Sequence, residues 1–201
     1  MNDVDLEGLL GFLRKTERLK TVTRSAFTTT GDAESVAEHT WRLALMASLL
    51  APHFPDVDPL RLIRMCLIHD LGEAIGGDIP APEQARRLQQ GENEGKSAGE
   101  RRDLLEVIAS LPESDRLEIT ALWDEYETAA TPTARLAKGL DKLETILQHT
   151  QGVNPPGFDY RFNLHYGRQH TESPELLAII RKRLDDDTEA LAVAREQHRS
   201  I

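Results

Sequence analysis

The sequence predicts an all-α protein on three observations. Apolar residues recur at helical spacing from end to end, helix-start signals precede most of those runs, and alternating β-branched runs are nearly absent. A first helix is expected near Leu6 to Leu19, carrying Leu6, Leu9, Leu10 and Leu13 at helical spacing. A Thr-rich connector, "TVTRSAFTTTGDAE", follows it. The second helix opens at Ser35, where Glu38 three residues later completes a capping box before "HTWRLALMASLL". His39 therefore falls in its first turns. Trp41, two residues on, points to a different face and is expected in the core.

Asp58 is the expected N-cap of a third helix, with Pro59 at its first position and an apolar content that makes it largely buried. Cys66 packs in that run as a small apolar residue. His69 and Asp70 come near its end, before breaks at Gly72 and Gly76-Gly77. "DIPAPEQ" is expected to turn, and "QQGENEGKSAGE", polar and Gly-rich, is expected to be a loop. Helices follow at roughly Lys96 to Ser110 and Ser114 to Ala129. Thr131-Pro132 starts another, in which Leu136, Leu140, Leu143 and Leu147 form a buried stripe with Asp141 beside it. "QGVNPPGFDYRFNLHYGRQHTE" has no period and reads as a long surface loop, a lid or a partner contact. A last amphipathic helix starts at Ser173-Pro174 with Leu176, Leu177, Ile180 and Leu184 inward. No internal repeat or sustained heptad pattern occurs.

The 201 residues suit one domain over 1–201 with a sizeable core. With 24 basic and 34 acidic residues the net charge is -10, which argues against polymeric nucleic acid and anionic membranes as partners. An anionic substrate would need a local cation. No run approaches the roughly 18 apolar residues of a membrane span. The start, "MNDVDLEGLL", lacks the basic flank and apolar core of a signal peptide, so a cytoplasmic location is expected. A single cysteine excludes an internal disulfide and a multi-cysteine zinc site.

His39 lies in one helix, the His69-Asp70 pair at the end of the next, and Asp141 in a later one, all on or beside apolar stripes. A buried isolated carboxylate is costly unless paired or metal-bound, so the two aspartates need a shared partner. Two imidazoles and two carboxylates suit a divalent cation. Without a thiolate the set accommodates Mn, Fe, Co, Ni or Zn, whereas magnesium sites are more often oxygen-only. The opposing account makes the histidines satisfied core residues and the aspartates caps or ion-pair partners. It must explain each burial separately.

"SVAEHTW", "LIHDLGEAIGGDIP" and "LAKGLDKLETILQ", in that order, resemble the H…HD…D motif of the HD-domain metal-dependent phosphohydrolases. The similarity is closest to the branch holding the YfbR-type 5′-deoxynucleotidases. It runs from about Leu19 to Gln148, with support in "ALWDEYE", and leaves 149–201 as a C-terminal loop and helix. The resemblance implies a compact multi-helix HD-domain fold, often a homodimer. It also implies removal of phosphate from deoxynucleoside 5′-monophosphates with one divalent cation (Mn, Co, Fe, Ni, Zn or Mg). Residue by residue, His39, His69, Asp70 and Asp141 match the four metal ligands. Glu73 and Asp78 match two further acidic positions, one tied to proton transfer and the other to positioning the substrate or a second ion. Arg24, fifteen residues before His39, matches a basic residue that helps hold the phosphate. Where many relatives have an aromatic and another Arg after it, this chain has "RSAFTTTG", so base recognition departs from the family pattern. "FNLHYGRQH" maps to no part of the motif.

Each carried-over residue also has a plainer account. Glu73 fits a solvated helix end, Asp78 a turn and Arg24 the surface, while Lys138 is placed for a helix-face ion pair. Two-metal HD proteins add histidines between the HD pair and the final Asp, and this chain has none between Leu71 and Leu140. One metal is therefore expected. The chain is short and lacks a basic cluster for a triphosphate. A different small phosphorylated metabolite remains an alternative substrate, and a non-catalytic metal-stabilised scaffold or binding protein is the rival from another class. Retention of Glu73 and Asp78 favours a hydrolase, because a structural site needs only its ligands. Cys66 shows no sign of activation as a nucleophile.

Overall fold

The computed structural model describes residues 2–80, 83, 86 and 93–199. Asn2 and Asp5 exchange capping-box hydrogen bonds that start α1 (Asp3–Thr16), and a 3-10 turn follows at Glu17–Lys20. The Leu stripe of α1 is shallower than expected. Leu6 and Leu13 are exposed, and contact with the core runs through Leu9 and Phe12.

The Thr-rich connector is a hairpin rather than a coil. β1 (Thr23–Phe27) pairs antiparallel with β2 (Ala33–Ser35), Thr23 opposite Ser35 and Phe27 opposite Ala33, with an irregularity between them. Strands this short carry no alternation to read. The turn is fastened by side chains, with Thr30 donating to Asp32 Oδ2 at 2.7 Å and the Asp32 amide to Thr28 Oγ1 at 3.2 Å.

Ser35 then caps α2 (Val36–Leu50) through the expected box with Glu38. His39, Leu43 and Ala47 take its inward face. Trp41 is 64% exposed, contrary to expectation, because the 3.6-residue period places it with Leu45 and Leu49 on the outer face.

Asp58 accepts from the Leu60 and Arg61 amides and starts α3 (Pro59–Ile68), where Leu62, Met65 and Cys66 are fully buried. The helix ends at Ile68, and tighter bonds from the Leu71 amide to Ile68 O and from the Glu73 amide to Asp70 O carry the chain into α4 (Glu73–Gly76). Gly72 is required here, since a Cβ would come within 2.9 Å of Glu100 O. Gly77, at φ 74°, then turns the chain so that Asp78 returns to the same cavity as Glu73. Of "DIPAPEQ", residues 81, 82 and 84 lie outside the described residues.

The Gly-rich stretch expected as a loop is helical over 93–100, within α5 (Asn93–Val107), while 89–92 lie outside the described residues. The Gly72 notch receives the backbone of this helix at Glu100 and Leu104, a tertiary contact that no local pattern encodes. α6 (Glu113–Thr128) and α7 (Pro132–Gln151) follow, the latter capped by Thr131 and buried on most of its circumference.

The segment after α7 is packed rather than a surface loop. It contains α8 (Tyr160–Asn163) and α9 (Arg168–Thr171), with Asn154, Tyr160, Asn163 and Thr171 buried. Arg181 of α10 (Glu175–Arg199) fixes it. Its buried guanidinium donates to Asn163 O and Tyr166 O, each at 2.7 Å, and to Asp185 Oδ1 at 2.7 Å. The main core gathers α2, α3, α6, α7 and α10 around Leu43, Met65, Leu140 and Leu143, and a second joins α4, α5 and α6 around Leu104, Ile108 and Trp123. The chemistry-bearing side chains sit where these cores meet the end of α3.

Candidate metal centre

The α2 capping box sets the register that buries His39 completely. His69 and Asp70 leave the end of α3, and Asp141 lies on the inward face of α7. The ligand atoms of His39, His69 and Asp70 fall within 4.8 Å of one another. Asp141 Oδ1 is 3.3 Å from His39 Nε2 and 3.9 Å from His69 Nε2, and Asp70 Oδ2 is 3.0 Å from His69 Nε2. The four residues expected as ligands therefore converge.

The outward nitrogens of both rings are already engaged. His69 Nδ1 donates to Cys66 O at 2.9 Å, and His39 Nδ1 pairs with the buried carboxylate of Glu144. Both Nε2 atoms are buried without a hydrogen-bond partner. Two orphaned imidazole nitrogens facing two carboxylates fit a divalent cation, with the tautomers set by the partners behind. Glu34, His39 and Glu144 also converge, but there Arg42 donates to Glu144 at 2.6 Å and Arg24 lies 3.6 Å from Glu34. That acidic group is already matched by arginines.

The charges of this cluster shift one another. Burial and Arg24 lower the His39 pKa, and Glu144 with Asp141 more than reverses this, carrying it up to about 9. Burial opposes ionisation of Asp70, but the neighbouring His69 and His39 hold it down to about 2. Burial, then the Glu144 charge, pushes Glu34 up to about 7. Burial, reinforced by Asp70 and Asp78, pushes Glu73 up to about 10.

One cavity of about 160 Å³ is lined by Arg24, His69, Asp70, Glu73, Asp78 and Asp141. Every residue expected from the sequence is at this place, with His39 beneath its floor. Arg24 is mostly buried rather than a surface arginine, with Nη1 3.7 Å from Asp70 and Nη2 donating to Thr145 at 2.9 Å. Lys138 forms its ion pair not along its own helix, as expected, but across to Glu127 of α6 at 3.3 Å, and it also lines the cavity.

Sequence reasoning missed the supports. Glu144 lies three residues after Asp141 in the buried stripe, and a charged residue on an apolar face is the signal that could have flagged it. Trp123 donates to His69 O at 3.1 Å and Tyr126 to Asp141 Oδ2 at 3.0 Å, which gives "ALWDEYE" its structural meaning. Lys142 donates to the same Asp141 oxygen at 2.8 Å.

The HD domain family model matches residues 16–180. The chain belongs to the HD-domain family of metal-dependent phosphohydrolases. This HD-domain protein is 36% identical over 146 residues to the mouse 5′-deoxynucleotidase HDDC2, covering 72% of this chain and 69% of the mouse protein. It is 28% identical over 198 residues to the zebrafish (Danio rerio) 5′-deoxynucleotidase HDDC2, covering 96% and 94%. Among solved structures, a predicted metal-dependent phosphohydrolase from Magnetospirillum magnetotacticum superposes with a TM-score of 0.80 at 30% identity over 96% of this chain and 95% of that one. No helix among the described residues of this HD-domain protein is long and apolar enough to cross a membrane.

Proposed function

We propose that this HD-domain protein removes phosphate from (deoxy)nucleoside 5′-monophosphates. The observation that carries the reading is the pair of buried, unpartnered Nε2 atoms of His39 and His69 facing Asp70 and Asp141. In this reading His39, His69, Asp70 and Asp141 hold one divalent cation, with Mn, Fe, Co, Ni or Zn favoured by the donor set and Mg also admitted. When bound, such a cation lowers the pKa of water toward neutrality and offsets charge on phosphoryl oxygens.

The chain's own residues supply the rest. Arg24, tethered by Thr145, presents its guanidinium to the phosphoryl oxygens. Burial and the neighbouring carboxylates keep Glu73 protonated at neutral pH, so it can donate that proton to the leaving oxygen. Asp78 lines the same cavity and positions the substrate beside Glu73. The names of the mouse and zebrafish relatives support a nucleotide as the phosphorylated substrate.

The reading extends to a cytoplasmic homodimer. A free, buried Cys66 suits a reducing compartment, and the exposed stripe of Trp41, Leu45 and Leu49 along α2 supports contact with a second copy.

The test is phosphate release from a panel of ribo- and deoxyribonucleoside 5′-monophosphates. Metal-stripped protein is supplied with Mn, Co or Mg, and Glu73→Ala serves as control. Release that requires both metal and Glu73 supports the reading. No release from folded, metal-loaded protein overturns it in favour of a scaffold or another phosphorylated substrate.

A further inference from the structure

Arg24 and Glu34 face each other across the hairpin. Thr23 stands opposite Ser35, so the next residues along the facing strands are Arg24 of β1 and Glu34 of β2. Glu34 Oε2 lies 3.6 Å from Arg24 Nε. Glu34 is only 3% exposed, and its Oε2 is buried without a hydrogen-bond partner. Arg24 lines the metal-side cavity and Glu34 does not, so the carboxylate meets the guanidinium from outside that cavity.

A buried carboxylate is costly, and an apolar residue of similar volume often serves stability as well or better, so Glu34 calls for a task. Arg42 does not supply it. Its Nε donates to Glu144 at 2.6 Å and its Nη1 to Gln151 at 3.0 Å, while its Nη2 stays 4.0 Å from Glu34. The other arginine beside Glu34 is Arg24. Arg24 Nη1 is also 3.7 Å from Asp70 Oδ2, so two carboxylates at nearly equal distance compete for one guanidinium through different nitrogens. Thr145 ties the remaining nitrogen to α7, its Oγ1 accepting from Nη2 at 2.9 Å and donating to Asp141 O at 3.1 Å. A planar guanidinium held at two nitrogens points the third in a fixed direction.

We infer that Glu34 is a positioning residue for the phosphomonoesterase reaction, holding Arg24 at Nε so that Nη1 stays presented to a phosphoryl group instead of closing on Asp70. The inference rests on the phosphomonoesterase reading and adds the group that aims its anion-binding arginine. Without the Glu34 charge the pull of Asp70 is no longer opposed at Nε. A guanidinium drawn onto Asp70 loses the donor it would offer to phosphate. The hairpin thereby does more than carry Arg24, because its second strand sets where the arginine of its first strand points.

The experiment is a double-mutant cycle on full-length, manganese-loaded protein. It is run at pH 8, above the value of about 7 to which burial raises Glu34, so that this group is ionised. The variants are Glu34→Gln, which keeps the shape and removes the charge, Arg24→Ala, and the two combined. Each is assayed for kcat and KM on dAMP and titrated calorimetrically with inorganic phosphate, and its manganese content is measured. Glu34→Gln is expected to weaken phosphate binding and raise KM by about tenfold, within the range by which contacting charges in one network couple. Its kcat and manganese content should change little, the pattern of lost ground-state binding. In the Arg24→Ala background the same substitution should alter neither KM nor phosphate binding. Glu34→Asp keeps the charge but draws it one methylene back from Nε. It should lie between wild type and Glu34→Gln, and it carries the test if the glutamine variant does not fold. Unaltered phosphate binding in the Glu34 variants that fold, an equal loss with and without Arg24, or a loss of manganese overturns the positioning role and leaves the phosphomonoesterase reading standing. Failure of the folded, metal-loaded wild type to hydrolyse any nucleoside monophosphate overturns that reading itself.

Discussion

Tyr126 donates its hydroxyl to Asp141 Oδ2 at 3.0 Å, leaving Oδ1 to face His39 Nε2 at 3.3 Å. Lys142 occupies the same Oδ2 at 2.8 Å, so the two oxygens of one carboxylate have separate tasks. Burial, with the charge of Asp141, pushes the Tyr126 phenol well above its usual pKa and keeps it a donor. Tyr126→Phe frees the carboxylate to rotate and is expected to weaken metal binding by about 10- to 100-fold, the usual effect of losing a partner behind a ligand. Manganese titration of stripped protein reads this directly. An unchanged affinity would detach Tyr126 from the centre.

Glu144 stands behind His39 as Tyr126 stands behind Asp141. It is fully buried, accepts from Arg42 Nε at 2.6 Å and pairs with His39 Nδ1. Glu144→Ala removes the carboxylate that faces the half-buried Arg42 and the buried imidazole of His39. Unfolding in urea with a chelator present is expected to show a loss of about 3–5 kcal/mol, as for other broken buried pairs. Glu144→Gln restores the shape without the charge and should recover part of that loss. A loss below about 1 kcal/mol for the alanine variant, the range of an exposed pair, would mean the network is solvated in practice.

The four residues proposed as ligands are legible because each sits at a place that local rules fix. Ser35 and Glu38 set the register of His39, Asp58-Pro59 sets where α3 begins, and the Leu136–Leu140–Leu143 stripe carries Asp141. What escaped was ordered from a distance. Nothing near 151–170 announces Arg181, and nothing within "QQGENEGKSAGE" announces the Gly72 notch against which α5 packs. Trp41 was misplaced for a related reason. Its size argues for the core, but the helix has only one inward face and His39, Leu43 and Ala47 occupy it.

Glu73 is expected to act through its proton. Burial, Asp70 and Asp78 push its carboxyl up to about 10, so it is charged only in alkaline solution. A proton donor works below its pKa, and a cation held by Asp70 would offset part of that carboxylate's push, so kcat/KM of the metal-loaded protein should fall as pH rises into a range below that value. Glu73→Gln cannot supply the proton. It should lower kcat by about 10²- to 10⁴-fold, remove the alkaline limb and leave metal content unchanged, as read by pH profiles and elemental analysis. A variant that keeps the alkaline limb would assign it to another group.

His149 gives the stability a separate dependence on pH. Burial pushes its pKa down from 6.5 to about 4; the bond to Asn163 opposes that shift, and the Arg24 charge reinforces it. Above pH 6.5 the ring is neutral in both folded and unfolded chains and contributes no dependence. Between 6.5 and about 4 the unfolded chain takes up a proton that the folded one refuses, so stability falls as pH falls. A shift of this size corresponds to about 3 kcal/mol, fully lost once pH is below the folded value. His149→Gln removes the titrating group while keeping a polar side chain beside Asn163. Urea unfolding at half-unit steps from pH 7 to 4 should give a shallower decline for the variant, and parallel curves would place the ring in contact with water in the folded protein.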